Sequence, residues 1–426
     1  MGREEMRLYI RIYPEEFNSF CNDCKPATKP NNCLTHRARV FLFLYYVEHK
    51  ISFDELGLLF NISSRTASSV YNDIEMYLLM FDPYIPAWIN DPNIPDSAIE
   101  QLLMSVNNAQ SPGIQRIVST LRSPDGRPVC PLSDDTTNIG SPSSNDPQFQ
   151  KDVYSGKRGK KNCVLFGTLT DVSGSVVAVR PAAHISTTPT GGDGVSMAAQ
   201  LAVADKTGHD SGFTRLLCGT PNICAALCVD RGYPFVSRVN TGGNSTVLEW
   251  CDRNNVLMFW PFKSGERSFE YNSSSNQLEV VHQNDDDVKA HNSGRICTVL
   301  RRGIELFHGA IKTIYQRLSG TLHHSFFDAV GSAFIDRYNH LYKPAEPLGK
   351  EWEETSHAVI LFLVVCGLHN RFHVKFHSAL PPDLELLCVD RILQNMNTPN
   401  IVLDEKIVWS GNINIKAKAT EIRNVP

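Results

Sequence analysis

The feature that most restricts how this chain can fold is a change of period at Pro128. Before it, apolar residues recur at helical spacing; after it they come in short runs cut by turn residues. Residues 129–132, 163–169 and 175–179 read as three strands. They are followed by a helix over 196–204, a strand over 223–229, a helix over 246–254, a strand over 256–260 and a long helical stretch over 295–318. The order β, β, β, α, β, α, β, α specifies an α/β fold, a mixed sheet flanked by helices, in which ligands collect at strand ends where the strand order reverses. A polar insert over 263–292, carrying Asp285-Asp286-Asp287, interrupts the pattern before the last helix.

Upstream, residues 38–49 predict an apolar helix, and Ser52-Phe53-Asp54-Glu55 is a capping box that opens a second helix through Phe60. After the turn Asn61-Ile62-Ser63, either Ser63 or Ser64 can cap a third helix over 65–81. Its buried stripe is Val70, Ile74, Tyr77 and Leu78, and its early exposed positions are Arg65, Thr66, Ser68, Ser69 and Asn72. Three helices with a tight last turn form an N-terminal all-α helix-turn-helix pattern, whose third helix can lie in a major groove. The proline-studded stretch 82–95 reads as a linker, and Asp96 or Ser97 caps a helical stretch ending near Leu121.

With 426 residues, the chain is long enough for two or three domains. Charges in every turn of the first residues argue against a secretory signal, and the longest apolar run, 358–368, is too short to cross a bilayer. The expectation is an intracellular protein without membrane contact. Twelve cysteines in that setting predict reduced thiols rather than a disulfide framework. Cys21-x2-Cys24 with Cys33-x2-His36 has a spacing compatible with a tetrahedral structural Zn²⁺ site. A net charge of -4 confines any nucleic-acid contact to local basic patches, because phosphate neutralisation needs Lys and Arg. The densest patch is Lys157, Arg158, Lys160 and Lys161; Lys312 and Arg301 are further cations, two turns after and one turn before Glu305.

Three carboxylates fall where the pattern can gather them: Asp135 soon after the first strand, Asp230 after the fourth, Glu305 on the long helix. Adjacent strand ends crossed by a helix bring such groups together. Hard oxygen ligands of this kind hold Mg²⁺ or Mn²⁺ while leaving positions open for water and phosphate oxygens.

The flanking residues resemble the IS5/PIF-Harbinger branch of DDE transposases over nearly the whole chain. Asp135-Thr136-Thr137-Asn138-Ile139 is similar to that family's Asp-Gly-Thr-x-Ile, with Thr136 in place of Gly, and Tyr154-Ser155-Gly156-Lys157 to its Tyr-Ser-Gly-Lys. Val229-Asp230-Arg231-Gly232-Tyr233 is similar to Ala-Asp-x-Gly-Tyr. Arg301-Arg302-Gly303-Ile304-Glu305 with Phe307 and Lys312 is similar to Arg-x-x-Val-Glu-x-x-Phe followed by Lys, with Phe307 one residue early, and Cys366-Gly367-Leu368-His369-Asn370 to the closing Leu-His-Asn helix.

The resemblance implies an RNase H-like nuclease fold with Asp135, Asp230 and Glu305 as the catalytic triad holding two Mg²⁺ or Mn²⁺ ions; Asp134 is the alternative for the first position. It also implies DNA strand cutting and joining at transposon ends, nuclear residence and a Myb-like protein partner, with self-association as a further expectation. A host-adopted DNA-binding or scaffold protein on the same fold is the alternative. The expected organisation is 1–36 with the zinc residues, 37–95 helix-turn-helix and linker, 96–376 nuclease domain and 377–426 C-terminal tail.

Overall fold

The computed structural model describes residues 9–27, 34–88, 95–108, 111–143, 154–155, 161–181, 193–207, 212–238, 245–263, 265–284, 286–374 and 381–398. Capping sets the first helices. After α1 (Pro14–Asp23), Thr35 caps α2 (His36–Glu48) by accepting from the Ala38 amide. Ser52 and Glu55 form the reciprocal box that opens α3 (Phe53–Phe60). Ser63 Oγ accepts from the Thr66 amide at 3.1 Å and begins α4 (Ser64–Phe81). Asn61, at φ 52°, takes the left-handed conformation that ends α3, a role asparagine tolerates better than most residues.

After the short strand β1 (Ala87–Trp88), the helical stretch expected up to Leu121 divides into α5 (Asp96–Asn108) and α6 (Pro112–Val118). Ser111 caps the second, and Pro112 fits its first position because that position needs no amide donor.

The sheet is built from β2 (Val129–Gly140), β3 (Tyr154–Ser155), β4 (Lys161–Thr170) and β5 (Val176–Pro181). Helices α7 (Asp193–Thr207) and α8 (Gly212–Cys218) lead to β6 (Cys224–Cys228), and α9 (Val247–Arg253) leads to β7 (Leu257–Phe259). The strand order is β1-β5-β4-β2-β6-β7, with β3 on β4. β4 pairs antiparallel with β2 and β5, whereas β6 runs parallel to both β2 and β7. The fold is therefore mixed α/β, as the period change requires.

Two expectations about length are corrected. β2 does not stop at Leu132: its pairing with β4 continues from Ser133 opposite Thr170 to Gly140 opposite Cys163, so Asp135 lies within the strand rather than past its end. The polar insert is a two-stranded hairpin, β8 (Glu266–Asn272) against β9 (Gln277–Asn284). The following helix, α10 (Asp287–Thr313), begins well ahead of residue 295 because Asp286 accepts from the amides of Val288 and Lys289.

The chain continues through α11 (Gln316–Ser319), α12 (Ser332–Tyr342), α13 (His357–Phe372) and α14 (Pro382–Asn395). The apolar run 358–368 is the buried body of α13. Among the described residues, no helix is long and apolar enough to cross a membrane.

Two hydrophobic clusters hold these elements. One joins α5 to α9 with β6, β7 and the start of β2; it also takes in Leu384, Val389 and Leu393 of α14, so 382–395 is packed structure rather than the tail expected from residue 377. The other unites α1 to α4 with α13 and with Ile304, Phe307 and Ile311 of α10. The N-terminal helices therefore share a core with the helices beside the sheet. β5 serves both clusters, Val177 and Ala178 in the first and Val176 and Val179 in the second.

Candidate active site

Successive residues of a strand point to opposite faces of the sheet, so β2 separates its two neighbouring acids. Asp134 takes the face covered by α7. There Arg180 of β5 meets it with two parallel hydrogen bonds of 2.8 Å, both side chains fully buried. Arg180 also donates to Ser196 at 3.0 Å and lies over the Phe213 ring. Gly167 makes room for it: a Cβ there would stand 2.5 Å from the guanidinium. Every strong donor of Arg180 faces a fixed acceptor, so Asp134 is a structural acid.

Asp135 takes the other face, beneath α10. Its Oδ1 accepts from the Thr136 amide at 2.8 Å, the Tyr233 hydroxyl lies 3.5 Å away, and His308 Nδ1 lies 3.4 Å from Oδ2. Asp230 follows the parallel neighbour β6 in a turn closed by the Tyr233 amide on its carbonyl at 3.0 Å. Its carboxylate meets Arg301 Nη1 at 2.5 Å, and Arg301 Nη2 reaches Glu305, one turn further along α10, at 3.7 Å. The guanidinium side chain is only 10% exposed, against 54% for Asp230 and 66% for Glu305, so two exposed carboxylates stand over a sheltered cation.

The height of α10 over the sheet is fixed by close contact. Ser133 donates to the Leu300 carbonyl at 3.0 Å, tying β2 to the helix next to the acids. At Gly303 a Cβ would stand 1.9 Å from the Asp171 carbonyl oxygen, so only glycine lets α10 sit down on the β4–β5 turn. That turn is held from beneath by α13. His369 Nε2 faces the Gly174 carbonyl at 3.1 Å, and the Asn370 amide group pairs with both backbone groups of Val176, at 2.7 and 2.8 Å. Burial pushes His369 down to about 4, which keeps the ring neutral as the donor to Gly174. The Leu-His-Asn segment is thus a clamp on the strand edge supporting Gly303, and through it Glu305.

Asp230 and Glu305 meet at Arg301, and Asp135 meets Tyr233, all on segments the sequence had singled out, but the three acids do not stand together as a set that could hold a metal ion. His308 was missed. The signal was present, because Glu305-x-x-His308 places both on one face of a helix.

The other expected residues scatter. Lys312 is exposed in the last turn of α10, and Lys161 lies in β4, paired with Ser155. Lys157, Arg158 and Lys160 lie outside the described residues. On α4, Arg65 and Ser69 are exposed, but Thr66, Ser68 and Asn72 are half-buried, contrary to expectation. Thr66 shares the cap with Ser63, and Ser68 and Asn72 line a cavity of about 130 Å³ closed by Phe53, Tyr71, Glu75, Ser325, Phe326 and His357. The buried side of α4 is wider than the expected stripe of Val70, Ile74, Tyr77 and Leu78 because α12 and α13 cover a second side, with Tyr338 Oη on Asp73 at 3.1 Å.

Of the four zinc candidates, Cys33 lies outside the described residues. Cys21 and Cys24 are buried thiols on one side of α1, and burial pushes both above the usual thiol range. His36 Nε2 stands 2.5 Å from the Cys21 carbonyl oxygen, which brings the second pair back to the first. Among the described residues, no three His, Cys, Asp or Glu side chains stand together as a set that could hold a metal ion.

No protein-family model, no curated protein and no solved structure matches this chain.

Proposed function

We propose that this chain is a metal-dependent DNA nuclease and strand-transferring enzyme of the RNase H-like DDE class, with Asp135, Asp230 and Glu305 as its carboxylate triad. The observation that carries the reading is the meeting, on one face of α10, of acids from three distant segments: Arg301 links Asp230 to Glu305, and His308 meets Asp135. The strand order, with three antiparallel strands followed by two parallel ones and the acids on the central pair, supports it. So does the order of the flanking motifs.

Carboxylate oxygens are the donor type that a divalent cation takes, but the three acids do not stand together as a metal-holding set in this structure, where the guanidinium of Arg301 engages Asp230 and Glu305 and His308 engages Asp135. Bound there, Mg²⁺ or Mn²⁺ would activate a water or 3'-hydroxyl and stabilise the leaving oxygen of a phosphodiester. The chain's own residues do the positioning. Asp134–Arg180 and the Ser133–Leu300 bond fix β2, Gly303 and the His369–Asn370 clamp fix α10, and Tyr233 orients Asp135.

DNA approaches a net-negative protein through local cations, for which Arg65, Lys312 and the basic run around Lys161 are the candidates. Nuclear residence, a Myb-like partner and a second copy of the chain at paired DNA ends belong to the same reading, on the strength of the resemblance alone. Purified full-length protein with Mn²⁺ or Mg²⁺ should nick DNA bearing its own terminal repeats. Asp230→Ala should abolish nicking while circular dichroism shows the protein still folded; nicking that survives the substitution sinks the mechanism. Salt-sensitive DNA binding that Arg65→Ala weakens, with no metal-dependent nicking by the unsubstituted protein, would instead mark a non-cleaving DNA-binding protein on this fold.

A further inference from the structure

Ser68, Tyr71, Asn72 and Glu75 recur along α4 at the spacing that places side chains on one helix face, and that face borders the cavity of about 130 Å³. Phe53 of α3, Ser325 and Phe326 of the turn His324–Phe326, and His357 at the start of α13 complete its wall. An apolar cavity of about 150 Å³ takes a benzene ring, so this space suits a guest of a few heavy atoms. The wall here is far from apolar. Glu75 is 1% exposed; its Oε1 accepts from the Tyr71 hydroxyl, while its Oε2 has neither hydrogen bond nor ion pair among the described residues. The side chains of Ser68, Asn72 and His357 likewise form no hydrogen bond with the described residues. The neighbouring cation does not serve Glu75: Arg317 donates to the Ile51 carbonyl at 3.0 Å and to the Tyr46 hydroxyl at 2.6 Å.

We propose that this cavity binds a small primary ammonium ion, with its charge on Glu75 and its N–H groups shared among Glu75 Oε2, Asn72 and the Ser68 and Ser325 hydroxyls. The site is independent of the acids under α10. A buried acid without a cation is the group that a positive guest completes, and the aromatic rings of Phe53, Tyr71 and Phe326 are walls that favour a cation over a neutral molecule. The spare oxygen acceptors favour a primary ammonium over a quaternary one, which has no N–H to give them. Burial pushes Glu75 up to about 8, so at pH 7 the vacant acid keeps its proton, and the guest cation releases that proton to solvent as it binds. Affinity therefore rises with pH, roughly ten-fold from pH 7 to pH 9, as the ionised fraction goes from about one tenth to about nine tenths. The other ionisable groups around Glu75 are Tyr71, Tyr46 with Arg317, and His357, which Asp328 faces. Burial raises both phenols and lowers the imidazole, so all three rings stay neutral over that interval.

The test uses the full-length protein with isotopically labelled histidine and n-propylammonium chloride as the probe. The His357 resonance, assigned by its loss in His357→Gln, should shift saturably, with a Kd on the order of 1 mM, the strength expected of so small a probe. Propan-1-ol, the neutral counterpart, and sodium chloride at equal ionic strength should leave it in place. Glu75→Gln keeps an oxygen for Tyr71 and removes the charge. It should weaken propylammonium binding at least roughly ten-fold and abolish its rise between pH 7 and pH 9. Should that variant unfold, Asn72→Leu, which fills the cavity from a half-buried position, should block the shift instead. No saturable shift with propylammonium, an equal shift with propan-1-ol, or unchanged affinity in a folded Glu75→Gln or Asn72→Leu overturns the proposal.

Discussion

Asp134 and Asp135 leave β2 on opposite faces, and the two faces treat a carboxylate in opposite ways. Beneath α7, Asp134 has a matched partner in Arg180, two bonds of 2.8 Å and no exposure. Beneath α10, Asp135 meets His308, the Thr136 amide and the Tyr233 hydroxyl, and the other acids along that helix, Asp230 and Glu305, are more than half exposed. A buried ion pair is costly to break because the survivor is left charged in a low-dielectric interior. Carboxylates beside water can change partner at little cost. The first face is built to stay as it is, and the second is the one the proposed function needs.

Three predictions press on this contrast. The largest effect should come from Arg180→Ala, which strands Asp134 without its cation. It should cost about 3–5 kcal/mol in urea unfolding, whereas Glu305→Gln, at an exposed acid on α10, should cost less than about 1 kcal/mol. Equal losses from the two substitutions would erase the distinction between the faces.

Gly303→Ala comes next, since its Cβ would overlap the Asp171 carbonyl. It should cost about 1–3 kcal/mol, the usual range for overpacking, and should weaken Mn²⁺ binding by lifting Glu305. A stability loss with unchanged Mn²⁺ binding would mean that α10 does not set the site.

The smallest effect concerns pH. His369 has its folded-state value lowered to about 4 from an ordinary 6.5 by burial. The unfolded chain therefore binds the proton first, and stability is complete above pH 6.5 and declines as pH falls towards 4. Between pH 7 and pH 5.5 the loss should amount to about 1 kcal/mol. His369→Gln should flatten that decline while Arg180→Ala leaves it in place; an unchanged slope in His369→Gln would separate the clamp from the acid sensitivity.

How much could be read in the sequence differs between the ends of each element and its surroundings. The capping box at Ser52 and Glu55 and the cap at Ser63 were legible because a helix start is decided by residues within one turn of it. The succession of strands and helices after Pro128 was anticipated from the period change, though not the order of the strands in the sheet, and the meeting of Asp230 and Glu305 followed from the resemblance of the motifs around them. The far end of β2 was not, since Asp135 is kept in a strand by its partner β4, and pairing partners are not written next to each other in the chain. The same limit hid the second covered side of α4, where α12 and α13 arrive from more than two hundred residues away to enclose Asp73 and Asn72.

By itself, then, the sequence determined where the capped helices begin, the run of strands and helices after Pro128 and which carboxylates could serve chemistry, because capping and periodicity act over a few residues, while the β8–β9 hairpin and α14 escaped it. Which of two adjacent aspartates is structural and which faces α10 was decided only by tertiary structure. Asp134 and Asp135 are chemically identical and differ by one step along a strand; what separates them is that Arg180 stands on one side of the sheet and His308 on the other.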